Sequence, residues 1–467
     1  MLENALAIVA GLCWIAAGQG PWSFLVAAVP GSLLLAGGVS SLLLPGDPRT
    51  PQLTALGAFC AVVAALPLLF MIGFTAFGLL ALAVAAFVAC GWAAQRAEPP
   101  IERVPHPALD LELATKVAFD QLALASLIAT RPRSMNPDVE RAARELREAR
   151  EHFEASGWLE KPASYHETPP ALDEPVLRWG RAFNQSFERL SFASGYEPRV
   201  GDPGRDRWLS YGMNREAHAH VLRHGGAARP WLVCIHGYGM GAPATDLAAF
   251  QARRLHHELG LNLLLPVLPL HGARAPRLRS GDGFLSGDFL DTVHAEAQAM
   301  WDIRRLLSWV RAQGATQIGV YGLSLGGYTA ALLACLDGGL DSVIAGIPAA
   351  DFIRLVQRLA PHRLLREIDR LGFDWEILSD VLSVVSPLVL TPLVPRERLS
   401  IFGATADHLV PADQVRDLWR HWGEPRIAWY AGSHVSFPRE PQVRFLIDDA
   451  LRIGGLTPAA ALSPSSP

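Results

Sequence analysis

The stretch Ile318-Gly-Val-Tyr-Gly-Leu-Ser-Leu-Gly-Gly-Tyr328 carries a serine, Ser324, with one glycine two positions before it and another two positions after it. An apolar strand precedes the serine, and small residues typical of a well-packed helix follow it. The two glycines leave room for a sharp strand-to-helix turn, which would hold Ser324 in a strained, exposed position. Its hydroxyl would then lie at a helix N-terminus, where backbone N–H groups and the helix dipole favour a developing oxyanion. Because Gly-x-Ser-x-Gly is a short pattern, its interpretation depends on partner residues elsewhere.

The composition limits the classes of protein to which this chain can belong. At 467 residues it is longer than a single ordinary domain. Its formal net charge of −4 at pH 7 gives no indication of nucleic acid as a partner. The five cysteines lie in apolar segments without paired spacing, which predicts buried thiols rather than a disulfide framework or a metal site. They are Cys13, Cys60, Cys90, Cys234 and Cys335.

The N-terminal region, residues 1–95, carries only three charged side chains, Glu3, Asp47 and Arg49. Since about 20 apolar residues cross the hydrocarbon of a bilayer, its apolar runs predict four membrane spans, or three if the short first run does not insert. That first run, Ala5–Ala17, lacks a basic flank, so we expect no cleaved signal peptide. The alternative is a buried helical bundle in a soluble protein, which four uncharged runs in succession disfavour.

Basic residues indicate the orientation of these spans. Two crossings separate the loop at 45–52 from everything after residue 95, so Arg49, Arg96 and Arg103 lie on the same side of the membrane. The positive-inside rule assigns that side to the cytoplasm. We therefore expect a multi-pass protein of the inner (cytoplasmic) membrane whose soluble part, after residue 95, is cytoplasmic.

Residues 96–186 form a linker and a helical connecting region to which the sequence assigns no chemistry. Apolar residues at helical spacing predict an amphipathic helix over 109–130; they are Leu113, Val117, Leu122, Leu124 and Ile128. The strongly charged segment 139–155 predicts a solvent-exposed helix with ion pairs four residues apart. This region could dock the membrane part to the part of the chain that follows it, or it could form a surface for a partner, and both interpretations are open.

From residue 187 onward the pattern changes to strands. Phe187–Ala193, Arg207–Tyr211 and Glu216–Leu222 alternate or carry β-formers, which predicts an antiparallel entry to a larger sheet. Strands and helices of suitable lengths then alternate, which predicts a parallel, doubly wound sheet. One apolar strand ends in His236-Gly, well before the Ser324 turn. A His-Gly at a strand end followed by a Gly-x-Ser-x-Gly turn is more specific than either motif alone.

On these motifs the chain resembles the α/β-hydrolase superfamily over residues 187–453. The resemblance implies an α/β fold with a doubly wound, mostly parallel sheet, here preceded by transmembrane helices. It also implies a helical, partly apolar lid-like insertion at 352–395. A disordered tail is expected at 454–467.

In this superfamily the catalytic residues follow in the order serine, acid, histidine. The resemblance therefore implies Ser324 as the nucleophile, Asp407 as the acid and His434 as the base. A serine hydroxyl needs an imidazole to accept its proton, and the imidazole needs a carboxylate on its other nitrogen. Asp351, after the preceding strand, is the alternative acid. Two other histidines after Ser324, His408 and His421, are interpreted as mostly surface residues.

The resemblance also assigns the oxyanion hole to the backbone N–H groups of Tyr238 and Leu325. His236 is then a loop-ordering residue rather than the general base. No metal and no organic cofactor are implied. Three arginines after the second parallel strand could contact an anionic headgroup, although a solvated basic loop is the favoured interpretation; they are Arg274, Arg277 and Arg279.

Together these features predict a membrane-anchored serine hydrolase that cleaves an ester through an acyl-enzyme intermediate. Because the chain carries membrane spans and an apolar insertion, the favoured substrate is a lipid or another long-chain acyl ester, with the bilayer as a partner. A thioesterase or amidase is one alternative, and a catalytically silent membrane scaffold or interaction protein is another. The sequence indicates neither the acyl and leaving groups nor the oligomeric state.

Overall fold

The computed structural model describes residues 2–47, 49–129, 138–276, 279–284, 286–360 and 362–458. The chain divides into two units. Unit 1 comprises Met1–Pro132, Ala404–Asp413 and Trp429–Glu440. Unit 2 comprises Arg133–Gly403, Gln414–Ala428 and Pro441–Pro467.

The described part of unit 1 contains five helices and two later loop segments. The helices are α1 (Leu2–Ala16), α2 (Pro21–Leu43), α3 (Thr50–Ile72), α4 (Thr75–Ala97) and α5 (Leu111–Ala129). Among the described residues, three helices, α2, α3 and α4, are long and apolar enough to cross a membrane, whereas α1 has 15 residues and is shorter. An apolar, multi-helix N-terminal region is thereby confirmed, while the number of spans stays a prediction.

Helix α5 packs closely against α4 and α3. A Cβ atom added to Gly91 of α4 would lie 1.9 Å from the carbonyl oxygen of Ala114 in α5, so this approach of two backbones requires glycine. Phe87 of α4 and Phe119 of α5 pack edge to face with their ring centroids 5.2 Å apart. The amphipathic helix predicted from the sequence is therefore present, and its apolar face is buried within unit 1.

Unit 2 is built on a nine-stranded sheet. Only the last residues of its two final strands, Ala404 and 429–430, belong to unit 1. The strands are β1 (Val176–Ala182), β2 (Gln185–Ala193), β3 (Glu216–Leu222), β4 (Trp231–Ile235), β5 (Asn262–Val267), β6 (Ile318–Leu323), β7 (Ser342–Gly346), β8 (Leu399–Ala404) and β9 (Arg426–Tyr430). Their spatial order is β1-β2-β3-β5-β4-β6-β7-β8-β9. The first three strands and the β3–β5 pair are antiparallel, and the pairs from β5 to β8 are parallel. The predicted mostly parallel α/β sheet with an antiparallel entry is confirmed.

The remaining helices alternate with these strands. They are α6 (Val139–Ala155), α7 (Arg205–Ser210), α8 (Pro243–Ala249), α9 (Phe289–Ala312), α10 (Leu325–Ala334), α11 (Phe352–Leu359), α12 (His362–Arg370), α13 (Trp375–Ser383), α14 (Ala412–His421) and α15 (Pro441–Ile453). Helices α11 to α13 occupy the segment interpreted from the sequence as a lid-like insertion. Residues 454–458 of the expected tail form a turn in which Leu456 is buried, and residues 459–467 lie outside the described part of the chain.

The strand predicted at 207–211 is wrong, because these residues lie in and just after helix α7. Trp208 is 2% exposed and its indole N–H donates to Gln298 at 3.1 Å. The Arg207 guanidinium contacts Asp291 at 2.9 Å. These contacts with distant residues outweigh the local β-propensity of the segment.

Helix α6 matches its predicted bounds but is not exposed all round. Arg141 and Glu145 form the expected ion pair four residues apart, at 2.9 Å. On the opposite face, however, Leu146 and Phe153 are 2% and 1% exposed. The prediction of a solvated helix is therefore wrong for this face, because apolar residues recur on it at helical spacing.

Candidate active site

Ser324 lies at the turn between β6 and α10. Its φ and ψ are 56° and −114°, a conformation that residues other than glycine rarely adopt. The Ser324 N–H donates to the carbonyl of Gly346 at 2.8 Å, and its own carbonyl accepts from the N–H of Tyr328 at 3.0 Å. The structure therefore holds Ser324 in the strained strand-to-helix turn that the sequence predicts.

Two glycines permit this turn. A Cβ atom on Gly322 would lie 1.9 Å from the carbonyl oxygen of Gly326. A Cβ atom on Gly326 would lie 1.9 Å from the carbonyl oxygen of Ile235, at the end of β4. Both contacts are far shorter than atoms allow, so this backbone path requires glycine at the two positions flanking the serine.

The loop after β4 passes beside Ser324. A Cβ atom added to Gly237 would lie 3.5 Å from the Ser324 Cβ, so the loop backbone runs close to the serine. Tyr238 follows in this loop, and Leu325 is the first residue of α10. The two residues predicted to supply oxyanion N–H groups therefore both lie in segments next to Ser324.

His236 holds the loop after β4 in place. It is 1% exposed, its Nδ1 bonds the carbonyl of Gly237 at 2.8 Å, and its Nε2 accepts from the N–H of Leu268 at 3.1 Å. The carboxylate of Asp246 also fixes this loop by accepting from the N–H of Gly241 at 3.0 Å. Since both ring nitrogens of His236 are occupied by backbone groups, the ring acts as a loop-ordering residue.

In unit 1, Asp407 lies in the loop after β8 and His434 in the loop after β9. Asp407 Oδ2 is 2.7 Å from His434 Nδ1, and the two residues are only 6% and 9% exposed. Asp407 Oδ1 accepts from the N–H groups of Leu409 and Val410, at 2.9 and 2.7 Å, which fixes the orientation of the carboxylate. The carboxylate can only accept, so His434 donates from Nδ1 and leaves Nε2 as the nitrogen that can take up a proton. Ser324 belongs to unit 2.

The environment of His434 favours its protonated form. Burial lowers the pKa of His434, but the charge of Asp407, its hydrogen bond and the charge of Asp120 raise it, and the net direction is upward. A histidine stabilised in this way can hold a proton during a reaction and release it afterwards.

The alternative acid, Asp351, has a structural role. Its side chain caps α11 by accepting from the N–H of Arg354 at 3.1 Å, and it forms an ion pair with the Arg354 guanidinium at 2.9 Å. His421 is exposed, with its Nε2 bonded to the carbonyl of Leu390 at 2.8 Å. The structure therefore places Asp407, and not Asp351, against His434.

The prediction of His408 as a surface residue is wrong. His408 is 5% exposed, and its Nε2 lies 3.2 Å from the side-chain oxygen of Gln95 at the end of α4. Its backbone N–H donates to Asp120 of α5 at 3.0 Å. The residue is buried because helices of the N-terminal region cover its loop within unit 1.

Arg274 is neither a headgroup ligand nor part of a solvated loop, so both interpretations of it are wrong. It is 1% exposed, and its guanidinium contacts Asp302 at 2.8 Å and the carbonyl of Val267 at 3.0 Å. A buried, paired arginine of this kind holds the loop after β5 to helix α9. Arg279 is partly exposed, and Arg277 lies outside the described residues.

Sequence reasoning missed Asp120 of α5. This residue is 0% exposed, and its Oδ2 accepts from the backbone N–H groups of His408 and His434, each at 3.0 Å. A signal was present in the sequence, since Asp120 falls on the same helical face as Leu113, Val117 and Leu124. A charged residue within an apolar helix face indicates a buried carboxylate with specific partners.

Among the residues that the structure describes, no group of three or more histidine, cysteine, aspartate or glutamate side chains could hold a metal ion. The cysteines are all free thiols. The candidate catalytic groups are thus a hydroxyl and backbone N–H groups in unit 2, and a hydrogen-bonded imidazole–carboxylate pair in unit 1.

Parts of this chain are similar to known proteins. A family model described as alpha/beta hydrolase domain containing 18 matches residues 213–348, which include Tyr238, Ser324 and Leu325 but neither Asp407 nor His434. Among solved structures, the chain is similar to an acetyl xylan esterase from Paenibacillus sp. R4, with 16% identity, a TM-score of 0.43, and coverage of 62% of this chain and 98% of that chain.

Two curated relatives come from Mycobacterium tuberculosis. Uncharacterized protein MT2702 of strain CDC 1551 / Oshkosh is 44% identical over 375 residues, and Uncharacterized protein Rv2627c of strain ATCC 25618 / H37Rv is 43% identical over 375 residues. Each alignment covers 80% of this chain and 90% of the relative. With this identity over most of both chains, the chain belongs to one family with these two mycobacterial proteins. The family-model match at 213–348, together with the mostly parallel sheet and the turn at Ser324, identifies it as an α/β hydrolase.

Proposed function

We propose that this α/β hydrolase is a serine hydrolase that cleaves an ester bond through an acyl-enzyme intermediate. Ser324 is the nucleophile, His434 the general base and Asp407 the acid that orients it. The observation that carries the proposal is the buried 2.7 Å bond between Asp407 and His434. A catalytically silent scaffold has no need for such a pair. Burying a carboxylate and an imidazole costs free energy, whereas burying apolar side chains in their place would not.

The reaction follows from the roles of these groups. The Ser324 hydroxyl attacks the ester carbonyl carbon while its proton passes to His434 Nε2, and the N–H groups of Tyr238 and Leu325 stabilise the oxyanion. The imidazolium then gives the proton to the leaving alkoxide, the alcohol departs and the acyl group remains on Ser324. A water molecule next gives a proton to His434 and attacks the acyl-enzyme carbonyl. The bond from the acyl group to Ser324 then breaks, His434 returns the proton to the Ser324 oxygen, and the carboxylic acid is released.

We favour a lipid or another long-chain acyl ester as the substrate. Three apolar helices long enough to cross a membrane would bring the enzyme to the bilayer, where such esters partition. Helices α11 to α13 add an insertion in which Val356, Leu359 and Ile377 are partly exposed. If this preference is correct, kcat/KM for p-nitrophenyl esters rises as the acyl chain lengthens, and a strict preference for acetate or butyrate esters would contradict it.

We also propose that the protein lies in the inner membrane with its catalytic part in the cytoplasm. The proposal depends on Arg49, Arg96 and Arg103, which the sequence puts on one side of the spans. In inside-out and right-side-out vesicles, a protease should cleave residues beyond 100 only in the inside-out preparation. Cleavage confined to right-side-out vesicles would reverse the orientation.

Labelling with a fluorophosphonate probe tests the proposed chemistry directly, because the probe reacts with an activated serine. We expect the wild-type protein to be labelled and Ser324→Ala to remain unlabelled while keeping the wild-type melting temperature. Folded wild-type protein that resists the probe would favour the scaffold instead. Parallel assays with thioester and amide analogues separate an esterase from a thioesterase or an amidase.

A further inference from the structure

A carboxylate from the N-terminal helices lies directly behind the Asp407–His434 pair. Asp120 of α5 is completely buried, and its Oδ2 accepts from two backbone N–H groups, those of His408 and His434, each at 3.0 Å. Its Oδ1 lies 3.4 Å from the N–H of Val435. One side chain thereby holds the residue that follows the acid and the backbone of the base itself.

The helix that carries Asp120 is itself held tightly. Gly91 of α4 lets the two helices approach to backbone contact at Ala114, and Ala118 packs against Ala55 and Cys90 of α3 and α4. These neighbours on α3 and α4 carry no charge. Within unit 1, α5 therefore connects the apolar helices with the two loops that carry the acid and the base.

The charged groups around Asp120 have defined positions. Asp407 and His434 face it from the two loops, while the His408 ring is directed to Gln95. Lys116, one turn earlier on α5, is engaged by Glu112 at 2.9 Å and Glu440 at 2.8 Å. The groups that interact electrostatically with Asp120 are thus the members of the acid–base pair.

We propose that Asp120 is a positioning residue for the Asp407–His434 pair, holding both loops by their backbone while its negative charge stabilises the His434 imidazolium. This inference rests on the proposed serine hydrolase function. Asp120 acts through His434 and needs no contact with the substrate. Because α5 is packed on α4, the apolar helices of unit 1 take part in ordering the acid–base pair, which makes them more than an anchor.

The energetics support a functional reason for the charge. Burial, followed by repulsion from Asp407, raises the pKa of Asp120 to about 7, against the opposing effects of His434 and the backbone donors. An asparagine could also accept from the N–H groups of His408 and His434, without the cost of a buried charge. A purely structural role would therefore be met at lower cost by a neutral side chain.

The test uses the full-length protein in detergent and compares wild type, Asp120→Asn and a matched control, Asp110→Asn. Asp110 is an exposed residue just before α5, and its Oδ1 accepts from the N–H of Leu113 at 2.8 Å. For each protein, kcat and KM for a p-nitrophenyl ester are measured against pH, together with the fluorophosphonate labelling rate and the melting temperature.

For Asp120→Asn we expect an unchanged KM and a kcat lowered at least about 10-fold. We also expect the acidic limb of the kcat/KM profile to move to lower pH, because the charge that raises the pKa of His434 is gone. Asp110→Asn should leave the rate and the limb unchanged. A folded Asp120→Asn protein with the wild-type rate, or with a lower rate but an unmoved limb, overturns the inference.

A second measurement covers the case in which Asp120→Asn does not fold. Wild-type activity should need ionised Asp120 and neutral His434 together, so its acidic limb should fall more steeply than one ionisation allows. A limb described by a single ionisation overturns the inference. If the wild-type protein is not labelled by the fluorophosphonate probe, the proposed function fails and the inference fails with it. If wild type and Asp120→Asn are labelled equally fast, with the same limb, only the inference fails.

Discussion

Replacing Asp407 by asparagine exchanges one carboxylate oxygen for an amide nitrogen. The hydrogen bonds of the two oxygens determine which of them is exchanged. Asp407 Oδ1 accepts from the N–H groups of Leu409 and Val410, so the asparagine oxygen takes this position and its Nδ2 faces His434. An amide nitrogen only donates, so His434 must then accept at Nδ1 and carry its proton on Nε2. In this tautomer Nε2 cannot take up the proton of Ser324.

The size of the effect follows from two contributions. Loss of one charge-assisted hydrogen bond accounts for roughly 1.5–3 kcal/mol, or about 10- to 150-fold in rate. The wrong tautomer extends the loss to about 10⁴-fold in kcat, as the same substitution does in the serine protease triad. We therefore expect kcat of Asp407→Asn to fall between about 10² and 10⁴-fold.

Initial rates of p-nitrophenyl ester hydrolysis, with labelling rates and thermal melting on the same preparations, measure this effect. Asp351→Asn is the matched control, because Asp351 is the other candidate acid and contacts Arg354 at the start of α11. It should keep kcat within about 3-fold of wild type, since its loss removes a helix cap and one partly exposed ion pair. The reasoning is refuted if folded Asp407→Asn keeps more than about a tenth of wild-type kcat, or if Asp351→Asn loses as much.

Further predictions concern pH and stability. Because the net pKa of His434 is raised, the acidic limb of kcat/KM should lie above the ordinary histidine value of 6.5, and a limb below this value would contradict the assignment. Gly326→Ala should prevent stable folding or lower the free energy of unfolding by more than about 3 kcal/mol, measured by urea denaturation, because its Cβ would overlap a carbonyl oxygen. Arg274→Met should cost about 3–5 kcal/mol, seen by thermal melting, because Asp302 is left buried without its partner; an unchanged melting temperature would show that the pair adds nothing. Asp120 has a pKa raised from 3.8 to about 7, so its contribution to stability is present below pH 3.8 and lost as the pH rises through 7. Asp120→Asn should therefore be more stable than wild type near pH 8, by up to roughly 4 kcal/mol, with the difference shrinking by about pH 5; a destabilised variant at the higher pH would contradict this sign.

The features that the sequence predicts well depend on residues close together in the chain. The turn at Ser324 follows from Gly322 and Gly326, which lie two residues before and after the serine. A Cβ atom at either position would lie 1.9 Å from a carbonyl oxygen, so the turn requires glycine there. The pairing of Asp407 with His434 was implied by the chain order of a known family, and the 2.7 Å bond between them now supports it. The bounds of α6 match those predicted from its charge pattern.

What the sequence could not predict depends on contacts between distant residues. Arg207 and Trp208 have neighbours typical of a strand, but their partners Asp291 and Gln298 are 84 and 90 residues away. Arg274 looks like a solvent-exposed basic residue until Asp302 is brought against it. In each case a buried polar contact decides the local structure, and its partner cannot be identified from spacing.

The contacts of Asp120 also have a consequence for synthesis of the protein. Asp120 accepts hydrogen bonds from the backbone N–H groups of His408 and His434. These two residues come 288 and 314 positions later in the chain. A ribosome that adds roughly 5–20 residues per second needs on the order of 15–60 s to cover that distance. In this interval α1 to α5 are complete, but Asp120 still lacks these donors, and an ionised carboxylate in that state cannot be buried at low cost. The nascent chain therefore completes the packing around Asp120 only after the loops that follow β8 and β9 have been synthesised, and the Asp407–His434 contact cannot form earlier.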